Sequence, residues 1–365
     1  MEQKVNENPY LLSIHSLVKV WAPALRADIQ ANIDGRLGRF AVKKVIKPKQ
    51  PDIVIEKLTE RDPALDELAS IMGKHNNSWF TEFNGSDAVV FKYRERPDVI
   101  VTLSNPIRIL YYERPGVADR VYGSLFLAVQ IALCRKGAIL FHGAVLKKGR
   151  KTVILTGASG SRKSIVALCM LKNGWDFLSD DKCILKDEKA FCFQKPILDE
   201  FHLKVLPWLP YLIEDSVKIL EKARKKKRIK SYSEQHLPSY LLPAVKRFYR
   251  SSLMLDIQDI FPEAKLLKSA KPTHTIMLGT GPELKIKEVA HKRALKDLSL
   301  IHTLFLGECE HLLECHSLYN GEVSYDFDKL IKSNFTGLKL LRLTMTELCD
   351  FEEVYRLIEK TLKST

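Results

Sequence analysis

Short apolar runs broken by charged or turn-forming residues recur along the chain, with longer stretches at helical spacing between them. Phe40 to Ile46, Ala88 to Tyr93, Val99 to Leu103 and Ile107 to Tyr112 read as strands among helical runs, and Val121 to Cys134 as a helix apolar over most of its length. Ile139 to Leu146 and Thr152 to Thr156 flank the turn Lys147-Lys148-Gly149-Arg150, which predicts a hairpin. Ile165 to Leu171 then reads as a helix that stops at Asn173-Gly174, followed by a short strand over Trp175 to Leu178 and a further apolar run at Cys183-Ile184-Leu185. Ser252 to Asp256, Thr273 to Leu278 and Leu338 to Thr344 predict strands, and Trp208 falls in a proline-bracketed turn with the character of a lid. Asp350 with Glu353 forms an acidic variant of a capping box for a last amphipathic helix through Leu362. The alternation of strand and helix predicts an α/β protein in two parts: an N-terminal α/β domain over residues 1–130 and a core over residues 131–365.

One junction carries chemistry. Between the strand ending at Thr156 and the helix opening at Ile165 lies Gly157-Ala158-Ser159-Gly160-Ser161-Arg162-Lys163-Ser164. Strand, glycine-containing loop and helix in that order make a phosphate-binding loop of the Walker A kind. Glycines let backbone N–H groups turn inward around a polyphosphate, Lys163 reaches the outer phosphates, and the Ser164 hydroxyl holds Mg²⁺. The helix N-terminus adds its partial positive charge. Downstream, Ser179-Asp180-Asp181 closes the next strand, where adjacent carboxylates can hold a metal ion and accept a proton from an attacking hydroxyl. Arg162 stands where the pattern has glycine, and its side chain can be read as crowding the loop or as a second cation beside Lys163.

The run Phe141-His142-Gly143-Ala144, the loop from Gly157 to Ser164, and Ser179-Asp180-Asp181 together resemble the core of the HPr kinase/phosphorylase family and its HPr-kinase-like relatives, over about residues 139 to 186. That family shares a phosphate-loop fold with phosphoenolpyruvate carboxykinase. The resemblance implies a phosphoenolpyruvate carboxykinase-like P-loop kinase core that transfers the γ-phosphate of ATP, with Mg²⁺, to a serine hydroxyl. It implies phosphate contacts for Lys163, a Mg²⁺ ligand in Ser164, a general base in Asp180, metal or transition-state support from Asp181, and a place in the active-site wall for His142. Three departures stand beside it: Arg162 for a family glycine, Ile165 where HPr kinases carry glutamate, and no Glu-x-Arg-Gly-x-Gly signature downstream. They imply an acceptor other than HPr, a serine of another peptide or protein, and a closer kinship with distant members of the group, some encoded with peptide-modification systems.

Composition narrows the setting. The 365 residues carry a net charge of +14, most densely at Lys222-Ala-Arg-Lys-Lys-Lys-Arg-Ile-Lys230. No aromatic residues interleave that run and no nucleic-acid motif accompanies it, so it reads as a solvated insertion rather than a nucleic-acid site. Docking of an acidic peptide substrate is the further alternative. Seven cysteines, an odd number without framework spacing, suit a reducing compartment. Cys309, His311, Cys315 and His316 lack the paired spacing of a zinc site and read as structural. No signal-peptide pattern opens the chain and no run of about 18 apolar residues spans a membrane, so a cytoplasmic protein is expected. The N-terminal part carries no phosphate or metal motif and is left with substrate selection, core shielding or homo-oligomer contacts.

Overall fold

A computed structural model describes residues 8–42, 45–59, 65, 78–93, 96–114, 116–193, 197–198, 202, 205–212, 253–254, 257–306 and 326–364. The chain divides into two compact units. The first comprises Met1–His142, Ile184–Phe193 and Ala290–Gly337, the second Gly143–Cys183, Gln194–Val289 and Leu338–Thr365. The basic run from Lys222 to Lys230 and the cluster Cys309, His311, Cys315 and His316 lie outside the described residues.

In the first unit, strands β1 (Asn8–Ile14), β2 (Val18–Leu25), β3 (Ile53–Leu58), β4 (Ser78–Phe83), β5 (Ser86–Tyr93), β6 (Arg96–Thr102) and β7 (Ile107–Tyr112) form a seven-stranded sheet in the order β1-β2-β3-β7-β6-β5-β4. The sheet is mixed: β3 runs parallel to β2 and β7, and the other pairings are antiparallel. Helix α1 (Ala27–Leu37) buries Ile29, Ile33 and Leu37, one residue per turn on one face. Helix α2 (Val117–Cys134) packs on α1, β6 and β7 and is buried almost all round from Leu125 to Leu133. Among the described residues it is the one helix long and apolar enough to cross a membrane, and 67% of it lies buried inside the protein, as in a core helix. Its Arg120 pairs with the fully buried Asp98, so the charge introduced into the core by β6 is met from the helix.

The described residues of the expected strand over Phe40 to Ile46 form no strand. Gly38–Phe40 is a 3₁₀ turn continuing from α1, and Ala41 makes only an isolated bridge to Leu12. Phe40 is instead a packing residue whose ring meets His15 edge-on at 5.1 Å.

The second unit holds the strand, loop and helix singled out above. Strands β8 (Ile139–Lys148) and β9 (Lys151–Thr156) form the expected hairpin, closed at Gly149 with φ 58°. Beyond β9 lie β11 (His274–Thr280) and β13 (Lys339–Met345), both parallel to it, then antiparallel β12 (Lys285–Glu288); β10 (Asp176–Ser179) pairs with β8 on the side away from β9. β8 is antiparallel to both β9 and β10, so β9, β10, β11 and β13 all point the same way. Their carboxyl ends share one edge of the sheet, where open α/β sheets bind ligands. Helices α3 (Lys163–Lys172) and α4 (Phe351–Ser364) pack together over the sheet, with Ile165, Leu168 and Cys169 of one and Val354, Ile358 and Leu362 of the other in a core that includes Val153, Leu155, Ile276 and Leu343. Trp208, expected in a lid, is half-buried on this core with its ring 6.1 Å from that of Phe261.

Candidate phosphate-binding and phosphoryl-transfer site

The turn from β9 into α3 needs glycine at its first position for a reason of space. Gly157 has φ 156°, and a Cβ there would stand 2.6 Å from the Leu278 carbonyl oxygen and 2.7 Å from the Ser161 hydroxyl. Gly160 has φ 81°, a left-handed conformation that glycine adopts freely. The Ser161 N–H donates to the Ala158 carbonyl at 3.1 Å, closing the turn around Ser159. The Val166 N–H bonds to the Arg162 carbonyl, the first hydrogen bond of α3. The N–H groups of Arg162, Lys163, Ser164 and Ile165 thus have no acceptor within the helix, and they present the partial positive end of its dipole.

Arg162 is the N-terminal cap of α3 and takes the left-handed conformation, φ 67° and ψ 24°. An L-residue pays about 1–2 kcal/mol there, so the loop keeps the backbone path that glycine would give it. The crowding reading of Arg162 does not describe this geometry, because the side chain leaves the loop. Its guanidinium donates to the Thr346 carbonyl at 3.1 Å and the Glu347 carbonyl at 2.8 Å, touches the Cys349 sulfur at 3.5 Å, and lies 5.8 Å from the centre of the Phe351 ring.

Lys163 is buried at 6% exposure and curls back over the loop, donating to the Gly157 and Ala158 carbonyls at 2.9 and 3.2 Å. Burial pushes its pKa down from the ordinary lysine value, while Asp181 and then Asp180 hold it up. Its ammonium therefore lies among groups that any phosphate drawn to the loop would replace.

Ser164 donates its hydroxyl to Asp180, 3.1 and 3.0 Å from the two carboxylate oxygens. Asp180 is 3% exposed. Burial first, and the Asp181 charge second, raise its pKa; the Ser164 hydroxyl, the Asp181 N–H and the charge on His202 oppose the rise. The turn that follows is tight: Asp181 has φ 60°, the Lys182 N–H donates to the Asp180 carbonyl at 2.6 Å, and the Gly143 N–H donates to the Asp181 carbonyl at 3.1 Å. The Asp181 carboxylate is more exposed and pairs with Lys182. His142 is buried in β8, one residue before that Gly143, and its charge acts on His302.

Ser164 of the loop and Asp180, 16 positions apart in sequence, thus meet at a side-chain hydrogen bond. Hydroxyl and carboxylate oxygens side by side are the donors that Mg²⁺ prefers, and it is usually held by one or two carboxylates with substrate phosphates completing the shell. Among the described residues no group of three or more His, Cys, Asp or Glu forms a cage of protein ligands alone. Two contributors have no sequence signature. His202 belongs to no motif and acts on Asp180 across space, and the partners of Arg162 are backbone carbonyls 184 and 185 residues further on.

No family model matches the chain, and no curated protein matches it either. Among solved structures, the Hpr(Ser) kinase/phosphatase from Coxiella burnetii aligns with 62% of this chain and 94% of its own, at 10% identity and a TM-score of 0.27.

Proposed function

We propose that this protein is an ATP-dependent phosphotransferase that moves the γ-phosphate of ATP to a serine hydroxyl of a peptide or protein. The observation that carries this reading is the hydrogen bond between Ser164 of the phosphate loop and the buried Asp180. It joins the loop hydroxyl to a carboxylate of raised pKa beside the loop lysine, which supports the reading because phosphoryl transfer asks for a metal ligand, a cation and a base close together.

In this scheme the loop N–H groups and the α3 N-terminus bind the phosphates. Lys163 leaves the Gly157 and Ala158 carbonyls for the outer phosphates and counters the charge that spreads over the transferring group. Ser164 and Asp181 would hold Mg²⁺, which would supply charge to neutralise the phosphates. Asp180, raised by burial, accepts the proton of the attacking hydroxyl. The phosphoenolpyruvate carboxykinase-like core and the cytoplasmic setting belong to the same proposal.

Nucleotide binding is tested by thermal shift. ATP with Mg²⁺ at 100 times its dissociation constant adds about 2.7 kcal/mol, and Lys163→Ala removes most of that gain. Transfer is tested by mass spectrometry of candidate acceptors, beginning with products of neighbouring genes. No shift of the wild type at millimolar ATP and Mg²⁺ sinks the nucleotide reading; a shift without phosphate transfer to any acceptor favours a nucleotide-binding regulator.

A further inference from the structure

We infer that Arg162 is a positioning residue: a strut that hangs the phosphate loop on the connection between β13 and α4, and prepares the loop for nucleotide without touching phosphate. The inference rests on the nucleotide reading above and adds to it how this chain shapes the loop without the usual glycine.

The argument starts from the backbone. Arg162 takes the left-handed conformation that favours glycine, at the residue where the loop becomes α3. An arginine in a conformation unfavourable to it stays there when its surroundings hold it, and these do. A planar guanidinium offers donors in a fixed fork. Two arms of that fork reach successive carbonyls, Thr346 by Nη1 and Glu347 by Nη2, and the plane lies near the Phe351 ring. The fork thus joins the loop after β9 to the segment after β13, two strands away in the same sheet. The guanidinium thus bonds carbonyls outside the loop, while the Lys163 ammonium bonds the Gly157 and Ala158 carbonyls within it.

The same contacts supply a reporter. Cys349 is a free, partly buried thiol whose sulfur lies 3.5 Å from Arg162 Nη1. Loosening the strut uncovers that sulfur, with or without nucleotide. Loosening the loop also removes preorganisation, a cost that falls on every phosphate ligand alike.

The test compares the wild type with Arg162→Gly and Arg162→Lys. Cys349 alkylation by iodoacetamide is followed by peptide mass spectrometry in nucleotide-free protein, and ADP and ATP are titrated calorimetrically with Mg²⁺ at low and high salt. The strut predicts several-fold faster alkylation in both variants, about tenfold weaker binding of ADP and of ATP alike, and an unchanged salt dependence. Lysine fails to rescue because a single ammonium cannot reproduce the fork. Wild-type affinity in Arg162→Lys, or a larger loss for ATP than for ADP with altered salt dependence, would show a cation acting on phosphate and overturn the inference. Unchanged affinity in Arg162→Gly limits Arg162 to a structural contact, and tighter binding makes it an obstruction; either result also overturns it. If the wild type binds neither nucleotide, the proposed function fails, while equal alkylation in all three proteins removes the strut independently of that failure.

Discussion

Asp180 is a carboxylate that folding alone would do without. Its pKa is raised, so the folded state holds the proton more tightly than the unfolded chain does. The sign follows: the stability it contributes is fully present below the unfolded carboxylate value of 3.8 and is lost as pH rises through the higher folded value. At neutral pH the buried charge is therefore a liability, partly met by the Ser164 hydroxyl. Asp180→Asn keeps that hydroxyl's acceptor and removes the charge. The expected outcome is a gain of about 0.5–2 kcal/mol at neutral pH that shrinks toward pH 3.8, read as melting temperature against pH. With the gain comes a loss of phosphate transfer of about 10²- to 10⁴-fold, the range for a positioned base. A variant that transfers phosphate as well as the wild type removes Asp180 from the mechanism. If Asp180→Asn instead abolishes the Mg²⁺ dependence of binding while Asp181→Asn leaves it intact, the two aspartates exchange roles.

At the scale of elements, the strand, loop and helix from Lys151 to Lys172 carry the site, and their residues make different demands. Gly157→Ala forces a Cβ against the Leu278 carbonyl of β11, a backbone atom that cannot swing aside. It should destabilise the protein by at least about 1–3 kcal/mol, the cost of one strained residue, and abolish the ATP thermal shift. Gly160→Ala meets no atom within 4 Å and pays only for its left-handed backbone. It should therefore weaken nucleotide binding without abolishing it, and equal effects of the two variants would refute this account of the loop. The elements themselves were largely legible: the hairpin of β8 and β9, the loop, α3, β10, β11, β13 and α4 all fall where apolar period and turn residues place them. Asp350 does cap α4, accepting from the Glu352 N–H at 2.9 Å. Phe40 to Ile46 was misread because only Phe40 packs, at the end of a 3₁₀ turn, while Ala41 and Ile46 are exposed, and α2 begins at Val117, four residues early, because Asp119 and Arg120 in its first turn blur the apolar onset.

At the scale of the molecule, packing decides which titratable groups burden the fold. In the first unit His302 is 1% exposed, with its ring stacked 6.0 Å from Phe141 and tilted 5.1 Å from Phe327. Burial, with the charge of His142 added, pushes its pKa from 6.5 down to about 3. A depressed imidazole contributes stability that is present above 6.5 and lost as pH falls toward 3. His302→Phe, which keeps an aromatic ring against Phe141, should flatten the fall in melting temperature over that interval; an unchanged acid limb would assign it to other groups. What the sequence determined is local. The period of apolar residues set the strands and helices, and the spacing of Gly157, Lys163 and Ser164 marked the loop, whose inner turn is closed locally by the Ser161 N–H on the Ala158 carbonyl. Tertiary structure decided what depends on meetings between distant segments: that Ser164 lies on Asp180, that Arg162 turns to Thr346 and Glu347, that His202 acts on Asp180, and that two compact units are each assembled from three separate stretches of chain. The physical reason is that a backbone carbonyl carries no signature of residue type, and burial and through-space charge act on a group only through what the fold brings beside it.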